Sequence, residues 1–290
     1  RLTHLTMMGQ VIMVGFRTKS LKTERDKMKL RIFQIDAFAE NIFCGNPACV
    51  VPLKKWLPKK IMLNIAKENA VAETAFFIKS DNHFKLRWFT PEMEMDLCGH
   101  ATLATAHAIH SILKFKTKDI LFKTKSGNLL VQVQNGSYYM NFPSRKPIPA
   151  ELPLNIKKSL NYIPVEVYKS RDYLLVYENE SKVKNIEINR QFFDKCNLKT
   201  GGVIITSKSK KYDFVSRFFT PKATVFEDPV TGSAHCTLTP FWGVRLNKDT
   251  LDAMQISPRG GKLKCENKGD RVVISGKAKT YSEGFICIDQ

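Results

Sequence analysis

The sequence predicts an α+β fold made of two similar halves, and three observations support this prediction. Short apolar or alternating stretches recur along the chain and are typical of strands. One segment after residue 99 is small or apolar on nearly every side, which is typical of a helix enclosed by the rest of the fold. A five-residue motif also occurs twice, 130 residues apart. The length of 290 residues allows one large domain or two small ones.

The two halves are predicted to span residues 28–143 and 144–290, and to join around residues 143–153. Residues 1–27 differ in character, with several basic side chains and a short apolar run. We interpret them as an N-terminal extension of uncertain status, since both a transit peptide and a lengthened start ahead of Met28 fit this composition. They are left out of the fold prediction.

The first predicted elements lie in residues 30–70. Residues 30–38 alternate apolar and polar side chains and predict a strand. Gly45-Asn46-Pro47 predicts a turn, which is followed by an apolar strand over residues 48–51. Residues 58–70 begin with a proline and repeat apolar side chains at helical spacing, which predicts a short amphipathic helix.

Two further strands and the enclosed helix complete the N-terminal half. Residues 74–78 and 84–89 predict a pair of strands around a Ser-Asp-Asn turn. Residues 100–113 form a stretch that is too long for one strand and that carries almost no charge. This stretch predicts a helix surrounded by the sheet, because a helix without a polar face has to be buried.

A repeated motif connects the two halves. Arg87-Trp88-Phe89-Thr90-Pro91 recurs as Arg217-Phe218-Phe219-Thr220-Pro221. Each copy is preceded by an apolar strand and followed by acidic residues, and then by a glycine, Gly99 or Gly232, that opens a small-residue helix. Three matching features in register exceed what chance supplies. The C-terminal half is therefore predicted to copy the N-terminal half.

The repeat places two helix N-termini, at Gly99 and Gly232, on opposite sides of a cleft between the halves. Helix N-termini present unpaired N–H groups and the positive end of the helix dipole, which together suit a carboxylate. Glycine lets a ligand approach the backbone closely. The sequence therefore predicts an anion site in the cleft. In the alternative interpretation, both glycines only permit tight turns between strand and helix.

One carboxylate distinguishes the two halves. Glu73 precedes a strand of the first half, whereas Thr200-Gly201-Gly202 stands at the matching place in the second half. A glutamate among alanine, valine and phenylalanine loses hydration, which favours its use as a base near neutral pH. A solvated glutamate at a strand edge is the alternative. Two other carboxylates, Glu227 and Asp228, precede the second helix.

Composition restricts the class of partner. The formal charge of +19 comes from 46 Lys and Arg against 27 Asp and Glu. The lysines are dispersed and lack interleaved stacking aromatics, so we predict a solvated surface, with nucleic-acid binding as the alternative. The seven cysteines form no C-x-x-C pair, which argues against a disulfide framework and a structural zinc site and favours a reducing compartment. No apolar run approaches the ~20 residues that span a bilayer.

Four ordered motifs resemble the phenazine-biosynthesis PhzF family, in particular its animal members with a phenazine biosynthesis-like domain. The motifs are Gly45-Asn46-Pro47-Ala48, Ala72-Glu73-Thr74-Ala75-Phe76, the segment from Arg87 to Thr102, and the segment from Glu227 to His235. The resemblance implies a diaminopimelate epimerase-like fold, in which each half is a mostly antiparallel, barrel-like sheet around a central helix. This agrees with the two enclosed helices predicted from the repeat.

The resemblance also implies an activity. It implies isomerase chemistry that needs no cofactor, usually in a homodimer, and we predict no metal. Glu73 would be the single general acid/base, removing a proton from a carbon made acidic by conjugation and returning it elsewhere on the molecule. The other catalytic groups would be His100 and Asp228. The implied substrate-binding residues are Asn46, Gly99, Gly232 and Ser233, of which the last three cradle the substrate carboxylate.

Two-base racemisation, which other enzymes of this superfamily perform with two cysteines, is not predicted here. Cys98 precedes Gly99, but Thr231 precedes Gly232, and a hydroxyl is far too weak an acid to replace a thiol. We therefore predict a one-base proton shift and a packing role for Cys98.

The predicted function is that of a cytoplasmic isomerase acting on a small anionic, carboxylate-bearing metabolite, with neither nucleic acid nor a membrane as a partner. The alternative is a non-catalytic protein-interaction module that retains the isomerase fold. The presence of Glu73, His100 and Asp228 in one cleft argues against this alternative, since a scaffold has no need of three polar groups there.

Overall fold

The computed structural model describes residues 28–115 and 117–288. The predicted extension at residues 1–27 lies outside the described residues. The strands, numbered in chain order, are β1 (Met28–Ala37), β2 (Asn46–Leu53), β3 (Glu73–Lys79), β4 (Phe84–Phe89), β5 (Glu94–Met95), β6 (Asp119–Thr124), β7 (Gly127–Gln134), β8 (Ser137–Pro143), β9 (Ile148–Pro149), β10 (Glu166–Lys169), β11 (Tyr173–Val176), β12 (Val203–Lys208), β13 (Phe214–Phe219), β14 (Thr250–Gln255), β15 (Gly261–Asn267), β16 (Arg271–Gly276) and β17 (Ala278–Ile288). The helices are α1 (Lys59–Asn69), α2 (Gly99–His107), α3 (Leu154–Ser159), α4 (Glu180–Lys184), α5 (Arg190–Phe193) and α6 (Gly232–Leu246). Among the described helices, none has the length and apolar content needed to cross a membrane.

The strands of the two halves pair in the same series of orientations. The order in the N-terminal half is β17, β1, β2, β3, β4, β6, β7, β8, and the order in the C-terminal half is β9 to β16 in sequence. In both series the third and fifth steps are parallel and the others antiparallel. Antiparallel β8 and β16 join the two series, while the pairings among the described residues leave each series open. The prediction of two similar, mostly antiparallel halves is confirmed.

The parallel steps explain where the helices lie, because parallel neighbours need a crossover connection. Helix α1 connects β2 to β3, and α2 connects β4 to β6. In the second half, α4 and α5 lie between β11 and β12, and α6 connects β13 to β14. Helices α2 and α6 therefore occupy equivalent places in the two halves.

Helices α2 and α6 are enclosed by the sheet, as predicted. Residues 100–106 of α2 and 234–243 of α6 are all buried. Two of the buried threonines in these helices donate their hydroxyl groups to the preceding turn: Thr105 Oγ1 donates to the Ala101 carbonyl at 2.7 Å, and Thr239 Oγ1 to the His235 carbonyl at 2.6 Å. This pairing lets a helix with polar side chains lie in an apolar core.

Most predicted elements of the N-terminal half are observed. The strand over residues 30–38 is β1, the helix over 58–70 is α1, and the strands over 74–78 and 84–89 are the antiparallel pair β3 and β4. Helix α1 buries Met62, Ile65 and Ala66 and ends at Ala70, whose φ of 51° is left-handed. The enclosed helix predicted over 100–113 is α2, which continues as a π-helical turn over Ala108–Ile112.

The turn predicted at Gly45-Asn46-Pro47 lies slightly earlier than expected. Asn46 and Pro47 are already part of β2, where they pair with Ala37 and Asp36 of β1. The chain reverses at Gly45, whose φ of 71° and close packing require glycine: an added Cβ would lie 2.2 Å from the Ala37 carbonyl oxygen. The dipeptide Asn-Pro marks the start of the strand here and not the turn.

The repeated motif builds the same ion pair in both halves. Arg87 Nε donates to Glu94 Oε1 at 2.7 Å, and Arg217 Nε donates to Glu227 Oε1 at 2.7 Å. Each pair anchors the loop that leads from the central strand toward the central helix. Glu94 and Glu227, which follow the two copies of the motif, thus have the same structural role.

Candidate active site

A cavity of about 290 Å³ lies between the two halves. Six of the seven residues predicted for the site line it: Glu73, Gly99, His100, Asp228, Gly232 and Ser233. The seventh, Asn46, is fully buried and is not among the described residues that line the cavity. The structure therefore brings residues from three separate segments to one place.

The two glycines face each other at the centre of the cavity. A Cβ added to Gly99 would lie 3.6 Å from the Cα of Gly232, and a Cβ added to Gly232 would lie 3.6 Å from the Cα of Gly99. The N-termini of α2 and α6 thus meet head to head, as predicted. Because neither residue has a side chain, the first N–H groups of both helices are uncovered on this side, which suits a bound anion.

Glu73 and His100 form a buried pair at the cavity wall. Glu73 begins β3 and His100 is the second residue of α2, and Glu73 Oε2 lies 3.0 Å from His100 Nε2. Their side chains are 14% and 4% exposed, so solvent screens the pair little. The separation is that of an ion pair, although the geometry leaves His100 Nε2 without a hydrogen-bond partner among the described residues.

The other nitrogen of His100 faces Cys98. Cys98 Sγ lies 3.6 Å from His100 Nδ1, and burial raises the pKa of this thiol to about 11. Burial alone would lower the pKa of His100, but its two neighbours raise that pKa well above its usual value. Since the thiol is neutral near pH 7, the Glu73 carboxylate is the neighbour that stabilises the imidazolium. His100 is thus a positively charged ring beside the Glu73 carboxylate.

Asp228 belongs to a hydrogen-bond network on the opposite wall. Its Oδ1 accepts from Asn46 Nδ2 at 2.6 Å and its Oδ2 accepts from Thr231 Oγ1 at 2.5 Å. Gln255 Nε2 donates to the Asp228 carbonyl at 2.6 Å, while Gln255 Oε1 accepts from the Thr231 N–H at 2.8 Å. Burial raises the pKa of Asp228 to about 6, with Glu73 adding to the rise and His100 opposing it.

Asn46 thus holds Asp228 in place. The same Nδ2 group also donates to the Val230 carbonyl at 2.9 Å, on the chain between Asp228 and α6. The sequence predicted Asn46 as a substrate contact; the structure places it behind the carboxyl that faces the cavity.

The site is asymmetric although the halves match. The pairing of Thr74 with Phe89 corresponds to that of Val203 with Phe219, so Glu73 has Gly202 as its counterpart. His100 follows Gly99 as Ser233 follows Gly232. The N-terminal half therefore contributes the Glu73 carboxylate and the imidazole, and the C-terminal half contributes the carboxyl network of Asp228.

Glu73, Cys98 and His100 also offer three atoms of the types that ligate metal ions, all within 4.8 Å of one another. The arrangement fits a metal poorly. His100 meets Cys98 through Nδ1 and Glu73 through Nε2, so its two contacts use opposite ring nitrogens. The absence of a metal remains a prediction.

Two polar residues of the site were not predicted from the sequence. Gln255 lies at the end of β14 and reaches the site because Ser216 of β13 pairs with it. Arg171 lines the cavity and its NH2 group donates to Ser233 Oγ at 3.0 Å. Neither residue belongs to the repeated motif, and no local pattern marks either of them.

The sequence and the structure are similar to those of known proteins. A family model described as phenazine biosynthesis-like protein, PhzC-PhzF, matches residues 35–284. An uncharacterized isomerase of Pseudomonas aeruginosa is 45% identical, over 89% of this chain and 99% of its own. The human phenazine biosynthesis-like domain-containing protein is 37% identical, with the same coverage. The crystal structure of a PhzF family protein from Enterococcus faecalis has a TM-score of 0.85 and 44% identity, over 89% of this chain and 99% of its own.

These similarities confirm the predicted α+β, diaminopimelate epimerase-like fold class and the family resemblance. The names of several curated relatives place them among the isomerases, which supports that enzyme class for this chain at a coarse level. The family model covers most of the chain, and three of the four motifs quoted from the sequence contribute residues that line the cavity. This chain belongs to the PhzC-PhzF family of phenazine biosynthesis-like proteins.

Proposed function

We propose that this protein is an isomerase that needs no cofactor and moves a proton on a small, carboxylate-bearing metabolite. Glu73 is the single general acid/base. Its carboxylate takes a proton from an acidic carbon of the substrate, so that a C–H bond breaks and an O–H bond forms, and it returns the proton to another carbon of the same molecule. The electron pair moves through the conjugated system between the two carbons, and no net oxidation occurs.

The observation that carries this proposal is the position of Glu73. Its carboxylate lines the cavity, 3.0 Å from the buried ring of His100 and beside the facing N-termini of α2 and α6. A carboxylate bound by those N–H groups would place the rest of a small ligand within reach of Glu73. A base of this kind contributes about 10²- to 10⁴-fold to a proton transfer.

The surroundings favour one base over two. The thiol of Cys98 has its pKa raised to about 11 by burial, which leaves little thiolate near pH 7. Thr231 lies at the matching place in the other half, and its hydroxyl donates a hydrogen bond to Asp228. We assign His100 the stabilisation of negative charge on the substrate, and Asp228 a polar contact to the substrate that Asn46 and Thr231 hold in place, which leaves Glu73 as the single general acid/base.

The test is proton exchange in heavy water. The protein is incubated with a panel of small unsaturated and cyclic carboxylates, and deuterium uptake by each is measured by mass spectrometry. We expect uptake by at least one acid, and we expect Glu73→Gln to slow it about 10²- to 10⁴-fold while leaving the circular dichroism spectrum unchanged, because the amide keeps the shape but cannot hold the proton.

Glu68→Gln is the matched control, since Glu68 is an exposed glutamate on α1. Its exchange rate should equal that of the unmodified protein. Exchange that persists in Glu73→Gln would remove Glu73 from the mechanism. Binding of acids without any exchange would favour the alternative, a non-catalytic interaction module.

We also expect a homodimer located in the cytoplasm, without nucleic acid or membrane as partners. Sedimentation equilibrium tests the dimer. A salt titration tests nucleic-acid binding, because phosphate contacts would give a steep logarithmic dependence of affinity on salt concentration. A flat response is the expected result.

A further inference from the structure

Arg171 stands at the cavity in a position that the proposed mechanism does not use. It lies in the turn between β10 and β11 and reaches across to α6, where its NH2 group donates to Ser233 Oγ at 3.0 Å. Ser233 is in the first turn of α6, beside the uncovered N–H groups at Gly232. The guanidinium is therefore next to the place where the helix N-terminus favours an anion.

A buried carboxylate fixes the orientation of Arg171. Asp172 is fully buried, and it accepts hydrogen bonds from Arg171 Nε at 3.1 Å and from Arg171 NH2 at 3.0 Å. Asp172 also accepts from the N–H of Gly202 at 2.9 Å, which ties it to the strand that follows. An arginine held in this way loses little further side-chain entropy when it binds a ligand. Its NH1 group has no hydrogen-bond partner within residues 28–115 and 117–288.

A second arginine, Arg145, gives the surroundings of Arg171 an excess of positive charge. Arg145 donates its backbone N–H to the Cys236 carbonyl of α6, and its buried NH1 group finds no partner in the described part of the chain. Burial and the nearby Arg171 lower the pKa of Arg145. Two guanidinium groups thus lie near one buried carboxylate, Asp172, which pairs with Arg171. An anion at this place would relieve the excess.

The two walls of the cavity also differ in their content of positively charged side chains. The part contributed by the N-terminal half has no lysine or arginine among the described lining residues, and it presents Met93, Met95 and Leu97. The part contributed by the C-terminal half has three cationic residues, which are Arg171, Lys199 and Lys222. A ligand with an anionic group at one end and an apolar body at the other fits this asymmetry.

We propose that Arg171 binds the anionic group of the substrate. The carboxylate lies between the free edge of the guanidinium and the first turn of α6, and the apolar body lies against Met93, Met95 and Leu97. Arg171 is then a substrate-binding residue that selects carboxylates over neutral molecules of the same shape. Calling the ligand a substrate rests on the proposed function; the anion preference of the site does not.

The experiment measures binding and not turnover. Cyclohex-1-ene-1-carboxylate and its carboxamide have nearly the same shape and differ in charge, and their affinities are measured by titration calorimetry. We expect the unmodified protein to prefer the carboxylate. Arg171→Gln should lower the affinity for the carboxylate about 10- to 100-fold, as the loss of a charged hydrogen bond does, and leave that for the carboxamide unchanged. Arg171→Lys should give an intermediate value, because it keeps the charge and loses the fork.

Arg245→Gln is the matched control. Arg245 is on the last turn of α6, the helix that begins beside Arg171. Its side chain is 33% exposed against 31% for Arg171, and it is also held by a carboxylate, that of Glu166. Its place on the helix is roughly 18 Å from Ser233, given 1.5 Å per residue. Both affinities should stay unchanged in this variant.

Arg171→Gln leaves Asp172 buried without its partner, which can unfold the protein. The double variant Arg171→Gln, Asp172→Asn removes both charges together and should show the same loss of carboxylate preference in a folded protein. The proposal would be overturned if the folded Arg171→Gln variant or the folded double variant bound the carboxylate as tightly as the unmodified protein. It would also be overturned if the unmodified protein did not prefer the carboxylate to the carboxamide. Glu73→Gln separates this proposal from the proposed function, because it should stop proton exchange without abolishing the preference.

Discussion

The carboxyl of Asp228 lies where burial opposes its ionisation. Burial raises its pKa from an ordinary 3.8 to about 6. The folded protein therefore keeps a proton on this group at pH values where the unfolded chain has lost it. The stability that this proton contributes is fully present below the ordinary pKa and is lost as the pH rises through about 6.

Asp228→Asn is expected to remove this pH dependence. Asparagine keeps the shape, its carbonyl oxygen can accept from Asn46, and its amide can donate to Thr231 Oγ1. The free energy of unfolding of the variant, measured in urea from about pH 3 to about pH 8, should exceed that of the unmodified protein above about pH 6 and match it at the acid end. Asp81→Asn, at an exposed position, should show no such divergence. Two parallel curves for Asp228→Asn and the unmodified protein would contradict the prediction.

The residues of the site differ in how far the sequence reveals them. Glu73, His100 and Asp228 lie in or beside the repeated segments, so the symmetry of the halves predicts that they meet. Arg171 reaches the cavity through a turn that the repeat does not include, and it is recognised only once its contact with Ser233 is known. The role of Asn46 depends on a hydrogen bond to a residue 182 positions away, which no local pattern indicates.

The loops that follow β4 and β13 contact each other at the edge of the cavity. The N–H of Thr224 donates to Glu92 Oε1 at 3.3 Å, and the hydroxyl of Thr224 donates to the same oxygen. Each loop is closed by its own backbone bond, from Thr90 N–H to the Met93 carbonyl and from Thr220 N–H to the Phe226 carbonyl. Two compact loops, one from each half, are thus joined across the cavity.

Thr224→Ala is expected to loosen this junction. The variant loses the hydroxyl bond to Glu92 and keeps the weaker N–H contact, so amides in residues 90–93 and 220–226 should exchange faster with deuterium, by about 2- to 10-fold. Mass spectrometry of peptides from these loops measures the effect. Thr124→Ala removes a similar bond, to the Gly127 carbonyl, in a hairpin and should leave the loops unchanged. Unchanged exchange in Thr224→Ala would show that the contact does not restrain them.

Elements were predicted best where the sequence pattern is regular. Helix α1 buries one face, β4 and the first part of β1 alternate in burial, and the apolar run of β3 is buried over residues 74–77. Strand β2 begins two residues earlier than its apolar run. Asn46 and Pro47 belong to it because they continue the register of pairing with β1, which their side chains do not reveal in the sequence. The π-helical turn after α2 has no sequence signal of its own.

At the scale of the molecule, the two halves are linked by strands as well as by the cavity. Strand β17 lies within the predicted C-terminal half, residues 144–290, but it pairs with β1 of the N-terminal half along its whole length, and β8 pairs with β16. The repeated motif predicts two halves, and the matching series of strand pairings confirms them. It cannot predict the partner of β17, because that strand has no counterpart in the motif and its partner lies at the other end of the described chain.

The pairing of Met28 with Ile288 places the two ends of the described chain on neighbouring strands, about 5 Å apart. A circular permutant should therefore be attainable: a linker of about six Gly and Ser residues spans this distance, and new ends can be opened at the exposed turn of Asn135 and Gly136, between β7 and β8. We expect the permutant to melt cooperatively, within a few degrees of the parent, and to retain proton exchange.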